Sequence, residues 1–95
     1  MDEQLMKFFE ALISGQEFRS DPIGNDIVND YIIDTCYTLD CGYETGVCKE
    51  SGAWIIVQRY PDRESAEKGH KIWQAICAAN PAGAISVQTN RYEEF

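Results

Sequence analysis

From Tyr31 to Tyr60 the hydropathy pattern runs with a period of two, and this stretch limits the possible folds more than any other part of the chain. Tyr31, Ile33, Thr35, Tyr37 and Leu39 fall on one face of an extended segment, and Ile32, Asp34, Cys36 and Thr38 fall on the other. Asp40-Cys41-Gly42 reads as a turn, with Gly42 able to take a positive φ. A second strand is predicted from about Tyr43 to Cys48, and Glu50-Ser51-Gly52 turns the chain again. Trp54 to Tyr60 is the strongest strand signal in the protein. Three strands joined by short turns make an antiparallel meander.

The flanking segments are expected to cover this sheet. Leu5, Phe8, Phe9, Leu12 and Ile13 recur at helical spacing, so residues 2–14 read as an amphipathic helix stopped by Gly15. Residues 16–30 are rich in Asp, Asn, Gly, Ser and Pro and read as a long loop. After Pro61, Asp62 is the predicted N-cap of a second helix running to about Ala79. Its apolar face is Ala66, Gly69, Trp73, Ile76 and Cys77, and Glu64 and Lys68 have the favourable i, i+4 order. Gly69 lacks a side chain and lets the helix backbone lie close on the sheet. A fourth strand is predicted over residues 84–89, with residues 90–95 a frayed polar tail. The fold class is therefore α+β, in the order α-β-β-β-α-β. A four-stranded, mainly antiparallel sheet carries two helices in one domain spanning residues 1–95. The right-handed crossover rule sets the fourth strand parallel to the third, beside the first.

Composition narrows the partners. Sixteen acidic against eight basic residues give a net charge of −8. Such a field repels phosphate backbones and anionic membrane surfaces, and it favours a protein partner with a basic surface. Solubility alone also explains an acidic balance. No run reaches the roughly 18 apolar residues that span a bilayer, and the acidic start lacks the basic head of a signal peptide, so a cytoplasmic location in a bacterial host is expected. Cys36, Cys41, Cys48 and Cys77 are then expected to be reduced thiols. No cofactor motif is present, and no cofactor is expected. A sheet edge makes a homodimer easy to form.

Three clusters are candidates for chemistry. Cys36, Cys41, Cys48 and His70 form a Cys₃His set of the kind zinc accepts, although the spacings are not those of paired knuckles. Asp34 and Glu44 flank one hairpin at similar distances from its turn, and His70 projects from the covering helix. A carboxylate beside an imidazole can form a general base or bind a divalent ion, or it can simply tether helix to hairpin. Cys36 near His70 is the third candidate, a thiol nucleophile. For partner binding, the acidic residues of the loop and tail (Glu17, Asp21, Asp26, Glu93 and Glu94) are the expected contacts.

Asp34-Thr35-Cys36, Gly42-x-Glu44-Thr45, an Arg-Tyr-Pro strand end and Gly69-His70-x-x-Trp73 together resemble a family of small proteins encoded by bacteriophages and prophages. The resemblance covers roughly residues 33–73 and implies a phage accessory gene, with no assigned reaction. Two functions follow as expectations. One is a non-enzymatic accessory protein that binds and modulates a host protein, including a nucleic-acid-binding defence complex in the manner of an anti-CRISPR protein. The other is a small metal- or thiol-dependent enzyme using Asp34, Glu44 and His70, with Cys36 nearby.

Overall fold

The computed structural model describes residues 19–50 and 52–95. The helix predicted over residues 2–14 and the candidate contact Glu17 lie outside the described residues. Strands β1 (Arg19–Val28), β2 (Tyr31–Thr38), β3 (Gly42–Lys49) and β4 (Ile55–Tyr60) form one antiparallel sheet in the order β1-β2-β3-β4. Helix α1 (Arg63–Ala78) follows, then β5 (Gly83–Ile85) and β6 (Tyr92–Glu94), which pair as a separate two-stranded sheet. No helix among the described residues is long and apolar enough to cross a membrane.

This corrects the expected α+β class of a sheet under two helices. Among the described residues the protein is mostly β with a single helix. The largest difference is the supposed loop, most of which is β1. Its Asp, Asn, Gly and Pro residues lower strand propensity. An edge strand tolerates them because its backbone pairs on one side only and most of its side chains stay in solvent. The register shifts between Ser20 and Gly24, which accommodates Pro22 and the left-handed Asp21 (φ 43°) without breaking the ladder. Val28 pairs with Tyr31 across a two-residue turn in which Asn29 takes φ 52°.

The second difference lies at the C-terminal end. The predicted fourth strand does not join the main sheet beside the first predicted strand, which is β2. Ser86 interrupts it: its Oγ accepts from the backbone N–H groups of Gln88 and Thr89, at 3.2 and 3.3 Å, and its carbonyl accepts from Asn90 at 2.8 Å. The chain therefore doubles back, and Gly83, Ala84 and Ile85 pair with Glu94, Glu93 and Tyr92. The expected frayed tail is thus a strand, and Phe95 packs edge-on against Tyr31 at 5.4 Å between ring centroids.

One face of the sheet is the core. Tyr31, Ile33, Val47, Ile55, Val57 and Cys77 are buried together, with Val28, Trp73, Ala84 and Phe95 packed against them. Each large apolar side chain buried here contributes about 1.5–3 kcal/mol. Helix α1 starts where Asp62 accepts from the Ser65 N–H at 2.8 Å, a bond that holds the Asp62 carboxyl below its ordinary range. Lys68 reaches Glu64 at 3.4 Å on the solvent side. A Cβ at Gly69 would collide with the Tyr60 ring, so glycine sets how closely α1 lies over β4.

Candidate functional site

His70 is buried on the sheet side of α1, and both ring nitrogens are engaged. Its Nε2 lies 2.7 Å from Asp26 Oδ2 on β1, and its Nδ1 lies 2.7 Å from Thr35 Oγ1 on β2. Thr35 Oγ1 is 2.6 Å from Thr45 Oγ1 on β3, which is 2.8 Å from the Tyr60 hydroxyl on β4. The helix and each of the four strands supply one side chain to a continuous polar chain through the core. Burial pushes the Tyr60 hydroxyl up, and its bond to Thr45 partly offsets this.

Hydrogen-bond polarity follows from the groups present. With a neutral imidazole, Nε2–H donates to Asp26, and Nδ1 accepts from Thr35. Thr35 accepts from Thr45, and Thr45 accepts from Tyr60, so every link has one donor and one acceptor. The approach is close: a Cβ on Gly24 would lie 2.5 Å from His70 Nε2.

The order carboxylate–imidazole–hydroxyl is the one that activates a hydroxyl nucleophile. Here Thr35 has no exposed surface and is hydrogen-bonded on both sides, so no substrate atom can approach its oxygen. The chain of groups ties the edge strand and the helix to the centre of the sheet.

The sequence-derived cluster of Asp34, Glu44 and His70 is divided between the two faces. Glu44 pairs in register with Cys36, and Asp34 with Gly46, so Asp34, Cys36 and Glu44 share the face opposite α1. There Asp34 forms an ion pair with Arg19 and accepts from Asn25 Nδ2 at 3.0 Å. Cys36 Sγ accepts from Arg19 Nε at 3.1 Å, and Glu44 is 3.5 Å from Arg59. Cys36 and His70 are therefore also on opposite sides of β2. The Cys₃His set does not converge either. Cys41 is exposed in the β2–β3 turn, and Cys48 lies beyond it with its thiol 3.0 Å from the Gly52 carbonyl. All four cysteines are free, and no group of three or more metal-ligating side chains occurs among the described residues. Burial pushes the Cys48 thiol up, and the Cys77 thiol, in the core, is pushed up to about 11.

The acidic candidates separate into two places. Asp21 and Asp26 lie on β1. Glu93 and Glu94 lie on β6, whose partner β5 contacts β4 at the far side of the sheet, and Thr89 Oγ1 donates to Glu93 at 2.6 Å. Asp21 is bonded by Tyr43 and Arg63, which hold its carboxyl below the ordinary range, and Asp21 in turn raises Tyr43. Sequence reasoning missed the real partners of His70. One signal was available: Thr35 sits on the apolar face of its strand, where a buried hydroxyl requires a partner.

Comparison with family models, with curated proteins and with solved structures finds no match to this chain.

Proposed function

We propose that the protein is a non-enzymatic binding protein whose partner presents a basic protein surface. The observation that carries this reading is the acidic end of β1 at the edge of the sheet, where Asp26 keeps 49% of its side-chain surface open and the exposed Asp30 follows at the turn. It sits in a molecule of net charge −8. The groups that would serve an enzyme are occupied within the fold. His70 is saturated, Thr35 is inaccessible, and Asp34, Glu44 and Cys36 face away from the imidazole. The motif resemblance supplies the biological setting for the proposal: a phage or mobile-element accessory protein acting on a host protein, for which a nucleic-acid-binding defence complex is one target.

The test is binding of the purified protein to a panel of basic and acidic proteins, read at low and high salt, beside gel shifts with duplex DNA and RNA. Retention by basic proteins that weakens as salt rises is expected, because exposed charges are screened beyond about 8–10 Å at physiological ionic strength. A shift of duplex nucleic acid at moderate salt, or binding indifferent to partner charge, overturns the reading.

A further inference from the structure

We infer that the outer edge of β1 from Gly24 to Val28 docks an extended, basic segment of the partner, added to the sheet as a further strand. This rests on the binding-protein reading above and names its site and mode.

The two ends of the sheet differ. At β4 the outer edge is engaged by the chain itself, since the Val87 N–H donates to the Ile56 carbonyl at 2.9 Å. The first half of β1 is guarded by the register shift and by Pro22, which has no N–H to donate. The second half is regular, with Gly24, Asn25, Asp26, Ile27 and Val28 opposite Thr35, Asp34, Ile33, Ile32 and Tyr31. Across a two-residue turn the closing pair Val28–Tyr31 shares ladder bonds, and so do Asp26–Ile33 and Gly24–Thr35. The backbone N–H and C=O groups of Asn25 and Ile27 are then directed outward, away from β2.

Two features specify what pairs there. Ile27 is 74% exposed, the most exposed large hydrophobic side chain among the described residues, and an added strand would cover it. Asp26 stands between the two outward-directed residues with half its side chain open, and the exposed Asp30 follows at the turn. A lysine or arginine on the incoming strand meets these carboxylates. A second copy of the chain fits poorly, because each copy carries −8 and a pairing centred on Asp26 sets that residue against itself. The His70 bond to Asp26 ties this edge to α1, which lowers the ordering cost of adding a strand.

The test uses a blocked alternating Lys-Val hexapeptide and its fully N-methylated counterpart, which has the same charge and no backbone donors. Amide exchange is followed by NMR on the full chain. The first peptide is expected to bind and to slow exchange at Asn25 and Ile27 by about tenfold or more. The methylated peptide is expected to bind about tenfold more weakly or worse. Ile27→Pro removes an outward N–H and should abolish peptide binding. Ile27→Lys keeps the backbone and repels the peptide, so it should weaken binding while leaving the melting temperature within a few degrees. Equal binding of both peptides overturns strand addition and leaves the charge reading standing. Failure of both peptides to bind, in a protein that the panel shows to favour basic partners, overturns only the β1 site. Slow exchange at Asn25 and Ile27 in the protein alone, or concentration-dependent dimers that protect these amides, shows the edge already occupied and overturns the inference.

Discussion

Asp34 and Thr35 are adjacent in the chain and belong to different environments. Thr35 faces α1, has no solvent exposure, and passes hydrogen bonds between His70 and Thr45. Asp34 faces the other side of the sheet, where its carboxylate is 10% exposed but its ionic partner, Arg19, is 49% exposed. One side of β2 therefore carries an uncharged hydroxyl chain in the core, and the other carries an ion pair whose cation keeps contact with water. The contrast shows where polar groups are costly to disturb. A buried chain without access to water leaves orphaned donors and acceptors when cut, whereas a half-exposed guanidinium can rehydrate.

Replacing His70 should show the contrast most strongly. His70→Ala removes two hydrogen bonds and opens a cavity between β1, β2 and α1, and should cost about 2–4 kcal/mol in denaturant unfolding. A cost no greater than that of Asp34→Ala would mean the two faces are equivalent after all. Thr35→Val keeps the shape and deletes the hydroxyl, leaving His70 Nδ1 without its donor and the Thr45 O–H without its acceptor, while Tyr60 still donates to Thr45. About 1–3 kcal/mol is expected, with no rescue at any pH. For Asp34→Ala the expected loss is about 1 kcal/mol, because Arg19 turns to solvent. A double-mutant cycle of Asp34→Ala with Arg19→Ala would show whether the pair is coupled more tightly than that.

Smaller effects come from the thiols. Burial raises Cys77 from its ordinary 9.0 to about 11. The unfolded chain therefore ionises first as pH rises, so this stabilisation is complete below pH 9 and is lost as pH passes about 11. Cys48 and Tyr60 shift the same way. The melting temperature of the wild type should fall over this range, and Cys77→Ala, although less stable at neutral pH, should show a shallower slope. A parallel slope in the variant would place the alkaline loss in the other groups. The smallest effect is kinetic. In the native protein an aromatic disulfide reagent should label Cys41 first, with Cys36, Cys48 and Cys77 reacting fully only after unfolding. Rapid labelling of Cys36 would show that its face of the sheet opens readily.

Much of the fold was legible along the chain. The alternation from Tyr31 to Tyr60 located β2, β3 and β4, and Asp62 and the apolar stripe located α1. These are local signals: period, turn chemistry and capping act over a few residues, and they survive without knowledge of distant partners. β1 was not legible, because an edge strand with a bulge shares the composition of a loop, and only pairing with β2 makes it a strand. The turn at Ser86 hid in the same way within an apparently continuous strand.

The candidate site divides along the same line. That His70 lies on the buried stripe of a helix, and that Asp34 and Thr35 point to opposite faces, follows from residue spacing alone. Which carboxylate meets the imidazole does not. Asp26 lies 44 residues from His70, and Asp34, the nearer carboxylate in sequence, points away. Strand parity is a property of the chain, but which face the helix covers and which strand lies at the edge depend on how the meander docks. Side chains far apart in sequence meet only after that choice, when burial obliges each polar group to find a partner within reach.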